Sequence, residues 1–211
     1  MADFPEAGAG ESPELEIETP RGPARIRVTD PTGPAVSVLV IGHGAGGGVD
    51  APDILAVRAA VTAAGVRVVQ ATQPYRVAGR RAPAPAPQLD EAWTAIVRFL
   101  DVRDRPLIVG GRSSGARVAC RTATVLGAAG VLCLAFPLHP PGKPEKSRAA
   151  ELPDGVPTLV LNGDRDPFGV PDAGPQREVA VRPGATHDLR KDVKGTADLA
   201  VDWFRRHGWA R

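Results

Sequence analysis

Short, continuous apolar runs alternate along this chain with segments whose apolar residues recur every three or four positions. The runs are Ala35-Val-Ser-Val-Leu-Val-Ile41, Val66–Ala71, Leu107–Val109, Gly130-Val-Leu-Cys-Leu-Ala-Phe136 and Pro157-Thr-Leu-Val-Leu161. Rich in β-branched residues, they read as strands buried on both faces. Glu178–Arg182 reads as a last strand. Between them, Ile54, Val57 and Val61 share one helical face, as do Trp93, Ile96, Val97 and Leu100. Val193, Ala197, Val201 and Phe204 do the same at the end of the chain. These patterns predict helices opening after Asp50, over Asp90–Asp101 and over Asp192–His207, with one more from Ala116 to Leu126. Asp50 suits the N-cap of the first, Pro52 and Asp53 its first turn, and Gly65 its end. Leu15–Glu18 and Ala24–Val28 alternate in part around Pro20 and Gly22 and read as an opening hairpin. Strands alternating with amphipathic helices imply an α/β fold, a mostly parallel twisted sheet with helices on both faces.

Three segments stand outside this rhythm. Residues 1–12 are rich in Gly, Pro and Glu and are expected to be disordered, leaving 13–211 as a single domain. Residues 72–89 form a long Ala-, Pro- and Arg-rich loop whose alternating prolines disfavour helix and interior strand. About 20 residues separate Phe136 from Pro157, too few for a large cap.

Composition narrows the function classes. With 211 residues, 43% hydrophobic and 24% charged, the chain is ordinary for a globular protein. A net charge of +2 makes no case for nucleic acid, and no apolar run is long enough for a membrane span. The first twenty residues carry Asp3, Glu6, Glu11, Glu14, Glu16 and Glu18 without Lys or Arg, unlike a secretory leader. Cys120 and Cys133 fall in predicted core elements and read as buried free thiols, consistent with a cytoplasmic protein.

Candidate chemistry sits where strands end. Gly111-Arg-Ser113-Ser-Gly115 is a G-x-S-x-G pentapeptide between a predicted strand and a predicted helix, the context of a nucleophile elbow. A nucleophilic serine needs a base, and the base an orienting acid. Leu159–Gly163 runs into Asp164-Arg-Asp166, and Val179–Arg182 runs into Pro183-Gly-Ala-Thr-His187. Ser113, Asp166 and His187 therefore follow the right strands in the right order, with Asp164 as competing acid. Glycine-rich residues 42–48 offer backbone donors for an oxyanion. Ala45 and Ser114 are the first candidates there, with Gly44 or Gly46 as near alternatives. His43, beside this loop, is expected to orient it, or to act directly. His139 is expected to line the pocket or to pack its loop. Arg112, Arg165, Arg76, Arg80 and Arg81 are candidates for an acidic substrate or ordinary surface charge. His207 is expected on the surface. Gly42-x-Gly44-x-x-Gly47 also fits the dinucleotide fingerprint, but near the end of the next strand the chain offers Val68-Val-Gln70, without the acidic residue that fingerprint wants. No Cys/His cluster has metal-ligand spacing, and no cofactor is expected.

The chain resembles the α/β-hydrolase superfamily. Within it, it is similar to a dienelactone-hydrolase-like branch that includes testis-expressed protein 30 and the hydrolase-like domain of NSL complex subunit 3. The resemblance rests on Thr19-Pro-x-Gly22, Gly42-His-Gly-Ala-Gly-Gly-Gly-Val-Asp-Ala-Pro52 and Gly79-Arg-Arg-Ala-Pro83. It continues in Gly110-Gly-Arg-Ser-Ser-Gly-Ala-Arg-Val-Ala119, Pro137-Leu-His-Pro-Pro-Gly142, Gly163-Asp-Arg-Asp-Pro-Phe-Gly169 and Gly184-Ala-Thr-His-Asp-Leu189. It implies an α/β-hydrolase fold with Ser113, Asp166 and His187 in the triad positions, but settles no substrate; the connection after Phe136, too short for a large cap, is what leads to the expectation of a small ester or thioester. Some members of the branch act as scaffolds, so a catalytically silent interaction domain is the alternative. Ser114 departs from the pattern, where Met or Gly is commoner, but its backbone N–H is unaffected.

Overall fold

Every apolar run of the central sheet divides its side chains between two layers. In β4 (Ser37–Gly42), Val38 and Val40 join one core cluster while Leu39 and Ile41 join the other. In β6 (Leu107–Arg112), Leu107 and Val109 face the first layer and Ile108 the second. β7 (Gly130–Leu134) repeats the division with Val131 and Cys133 against Leu132 and Leu134. A strand with period-2 side chains and two buried faces must read as continuously apolar.

The computed structural model describes residues 10–102 and 104–211. The remaining elements are β1 (Gly10–Glu11), β2 (Leu15–Ile17), β3 (Ala24–Asp30), α1 (Pro52–Ala63), β5 (Val66–Thr72), α2 (Pro74–Val77) and α3 (Ala86–Phe99). They continue with α4 (Ser114–Thr122), β8 (Thr158–Gly163), β9 (Arg177–Arg182) and α5 (Val193–Arg206). The described strands form one nine-stranded sheet in the order β1-β3-β5-β4-β6-β7-β8-β9, with β2 also paired to β3. From β5 to β9 the pairing is parallel, and β3 joins it antiparallel. The first layer is closed by α3 and α4, through Leu89, Trp93, Ile96, Val97, Val118 and Ala119. The second is closed by α1 and α5, through Ile54, Val57, Val61, Trp203 and Phe204. This is the α/β-hydrolase arrangement, with no large cap.

The predicted hairpin is present, with Leu15 opposite Ile26 and Ile17 opposite Ala24. Four expectations need correction. The segment 72–89 is not a continuous loop: α2 occupies Pro74–Val77, and α3 begins at Ala86. Both helices carry proline in their first turn, where the missing N–H costs nothing, so the prolines start helices there. Asp50 does not cap α1, whose N-cap is Ala51 without a side-chain bond; Asp50 instead accepts from Arg27 at 2.8 Å. Of the segment expected to be disordered, residues 1–9 lie outside the described residues, and Gly10–Glu11 pairs with Thr29–Asp30. His207 is half-buried: its ring stacks on Trp209 and its Nδ1 bonds Trp203 O at 2.9 Å.

Cys120 and Cys133 are free, buried thiols. Among the described residues no helix is long and apolar enough to cross a membrane.

Candidate active site

The turn from β6 into α4 is the most constrained point of the chain. Ser113 sits at φ 53°, ψ −110°, a region side chains rarely occupy. Such a conformation costs on the order of 1–3 kcal/mol and persists only when neighbours enforce it. The enforcement is visible. Ser113 N–H donates to Leu134 O on β7, and Arg117 N–H donates to Ser113 O inside α4. A Cβ on Gly111 would collide with the carbonyl carbon of Gly115, and one on Gly115 would lie 2.8 Å from Gly42 C. Only glycine lets the turn close. Helix α4 is fixed from outside by Arg117 and Arg121, which pair with Glu151 and Asp90.

The loops after β8 and β9 meet this turn. His187 Nε2 lies 2.8 Å from Ser113 Oγ, and His187 Nδ1 lies 2.8 Å from Asp166 Oδ2. A carboxylate can only accept, so Nδ1 carries the proton and Nε2 is left to accept from the serine. The Asp166 side chain is fully buried; its other oxygen accepts from Phe168 N–H at 2.9 Å, and Asn162 Nδ2 lies 3.5 Å from Oδ2. The Phe168 ring covers the imidazole at 4.2 Å between centroids. Asp164 is turned away: it is exposed and accepts from Gly184 N–H at 2.6 Å, tying the two loops together. Arg165 N–H donating to Ala185 O adds a second tie. Such a row of groups can withdraw a proton from a hydroxyl as it attacks.

The glycine-rich loop lies alongside. His43 is 3% exposed and bonded through both ring nitrogens. Nε2 accepts from Gln73 N–H at 3.1 Å, so Nδ1 donates to Gly44 O at 2.8 Å. Burial lowers its pKa, with Arg76 adding to the effect against the Gly44 bond, and the ring stays neutral. Because C=O and N–H oppose each other across a trans peptide, pulling Gly44 O toward His43 turns Ala45 N–H the other way. The next peptide is held as well, by Tyr75 Oη donating to Ala45 O at 2.8 Å. Among the described residues, Ala45 N–H and Ser114 N–H have no acceptor of their own.

Sequence reasoning does not single out Tyr75, Gln73, Asn162, Phe168 or Asp53 for the site: Phe168 lies inside the Gly163–Gly169 motif without a role of its own, and Asp53 reads only as a helix-start residue. Tyr75 lay inside the segment read as a loop. Burial pushes its phenol up to about 12, against an opposing effect of Arg76, so it donates throughout the neutral range. Replacing Tyr75 with phenylalanine should cost about 1 kcal/mol of stability in urea denaturation, the net worth of one such bond. An unchanged midpoint would remove the bond from the account.

The other candidates do not join this row. His139 packs its own loop: its Nδ1 bonds Pro140 O at 2.9 Å and its ring lies against Gly169. Arg80, Arg81 and Arg165 are exposed, and Arg76 Nη1 donates to Arg80 O. Arg112 is turned toward the protein, where Nε donates to Asp53 Oδ2 at 3.0 Å. Burial raises the Asp53 pKa, and Arg112 only partly offsets this. Among the described residues no group of three His, Cys, Asp or Glu side chains could hold a metal ion.

Comparison with known proteins agrees with this architecture. A family described as an alpha/beta hydrolase domain matches residues 35–199. No curated protein matches the chain. Solved structures do. An alpha/beta serine hydrolase without lid from Xanthomonas campestris is 19% identical, with TM-score 0.75 over 96% of this chain and 97% of that one. A dienelactone hydrolase from Anabaena variabilis is 16% identical, with TM-score 0.74 over 97% and 100%. Est1E from Butyrivibrio proteoclasticus, solved with ferulic acid bound, is 15% identical, with TM-score 0.74 over 91% and 98%.

Proposed function

The chain belongs to the alpha/beta hydrolase family, and within it we propose a serine hydrolase that cleaves a small ester or thioester through an acyl-enzyme. The observation that carries this reading is the row Asp166–His187–Ser113, with both hydrogen bonds at 2.8 Å. Ser113 Oγ attacks the carbonyl carbon while His187 Nε2 takes its proton. The negative charge on the carbonyl oxygen is met by the N–H groups of Ser114 and Ala45, with Gly44 and Gly46 beside them. Each such donor is worth about 3–4 kcal/mol to the transition state. His187 then protonates the leaving alcohol or thiol, and a water repeats the sequence to release the acid. Asp166 keeps the imidazole in the required tautomer and stabilises its charged form. No cofactor is needed.

Absence of a large cap favours a small or accessible substrate, as do the lidless relative and the ferulic acid held by Est1E. The motifs quoted above favour the dienelactone-hydrolase-like branch, and the buried free thiols a reducing, cytoplasmic setting. Labelling with a fluorophosphonate tests the reading. Wild type should be labelled and Ser113→Ala should not, with parallel hydrolysis of p-nitrophenyl acetate by wild type alone. Absence of both from folded wild type would leave a catalytically silent interaction domain.

A further inference from the structure

The second residue of the elbow pentapeptide has a task of its own. The Arg112 guanidinium lies where three elements converge. Nε donates to Asp53 Oδ2 in the first turn of α1, at 3.0 Å. Nη2 donates to the main-chain carbonyl of His187, at 3.2 Å. Nη1 lies against the glycine-rich loop: a Cβ on Gly44 would sit 3.1 Å from Nη1 and 3.6 Å from Ser113 Cβ. One planar cation thus touches the loop of the base and the loop of the proposed oxyanion donors, from the residue beside the nucleophile.

The counter-ion fits that task. Asp53 is 0% exposed, and its second oxygen accepts from Ile54 N–H at 3.0 Å. A buried carboxylate held this way gives the guanidinium one orientation, because the five donors of arginine form a rigid fork. With Nε fixed on Asp53, Nη2 can reach a carbonyl only from one side, and that carbonyl belongs to His187.

We infer that Arg112, oriented by buried Asp53, is a positioning residue that sets the His187 loop and the 42–48 loop at their working distance from Ser113. The effect on turnover rests on the hydrolase reading above; the effect on loop order does not. An ammonium group at this place has no fixed fork, so lysine should substitute poorly. Loss of the guanidinium lets the imidazole drift, and a misplacement of about 1 Å can cost about 100-fold in rate.

The test compares wild type, Arg112→Ala, Arg112→Lys and the double variant Asp53→Leu/Arg112→Met. The last removes both charges, so no unpaired carboxylate stays buried if the single variant misfolds. Hydrolysis of p-nitrophenyl acetate should lose about 10-fold to 100-fold in kcat in all three variants, with KM little changed. Added guanidinium ion should restore part of the rate to Arg112→Ala and none to the double variant. Amide exchange over 184–189 should quicken in every variant, whether or not wild type turns over ester. A folded double variant with wild-type kcat, or with unchanged exchange over 184–189, would overturn the inference. If wild type itself neither labels nor turns over, the hydrolase reading fails alone, and exchange decides the positioning.

Discussion

Replacing Ser113 with alanine is expected to lower kcat by about 10⁴-fold to 10⁶-fold and leave the fold intact, because in the proposed mechanism nucleophile, base and acid act as a unit. Residual turnover of about 10³-fold over water is expected from the oxyanion donors and binding alone. Serine at 113 also carries a structural cost, since its φ of 53° is enforced by neighbours. Glycine tolerates that conformation and alanine does not, while glycine loses more chain entropy on folding. Relief of strain of about 1–3 kcal/mol outweighs an entropic loss below about 1 kcal/mol. Ser113→Gly should therefore match Ser113→Ala in inactivity and exceed it in stability by about 1 kcal/mol. Chemical denaturation of the two variants reads the difference directly. An alanine variant as stable as the glycine one would mean that the turn stores no strain.

Second in size is Asp166→Asn, for which a loss of about 10⁴-fold in kcat is expected with little change in KM. The carboxylate accepts from His187 Nδ1, which obliges Nε2 to accept from the serine. A carboxamide can present its NH₂ to Nδ1 and stabilise the opposite tautomer, with the proton on Nε2, where it cannot take another. Asp164→Asn is the matched control. Asp164 is exposed and among the described residues accepts only from Gly184 N–H, so kcat of this variant should stay within about threefold, the scale of one exposed hydrogen bond. Steady-state kinetics of both variants decide the matter: equal losses would reject Asp166 as the orienting acid.

The legible parts of this protein are those in which a residue's fate depends on its near neighbours. Continuous runs such as Val38–Ile41 read as doubly buried strands, since burial on both faces leaves no polar position to interrupt them. The elbow was legible because Gly111 and Gly115 flank the serine at the spacing a closed turn demands. Helix starts were less so. The Pro-rich stretch before Trp93 read as loop, whereas proline in a first turn promotes the helix that follows. Asp50 looked like a cap from its place before α1, yet its side chain went to Arg27, a partner 23 positions away.

By itself the sequence determined the alternation of strands and helices, the glycine turn that exposes Ser113, and the order in which the candidate acid and histidine follow it. All of these are local: they depend on periodicity, on backbone sterics, and on chain order. The sequence put Asp166 ahead of Asp164 as the acid, and the tertiary structure brings Asp166 to His187; tertiary structure alone decided that His43 and Tyr75 hold successive peptides of the glycine-rich loop, and that Arg112 faces Asp53 in place of solvent. Asp166 and Asp164 stand two positions apart in the same turn, and only the docking of the next loop buries one and leaves the other in water. Tyr75 and Ala45 are separated by 30 positions and Arg112 and Asp53 by 59, and neither pair shares a periodicity that could announce the contact. Such pairings are selected by the desolvation of polar groups once the layers have closed, because a buried donor or carboxylate must find whichever partner the fold brings near.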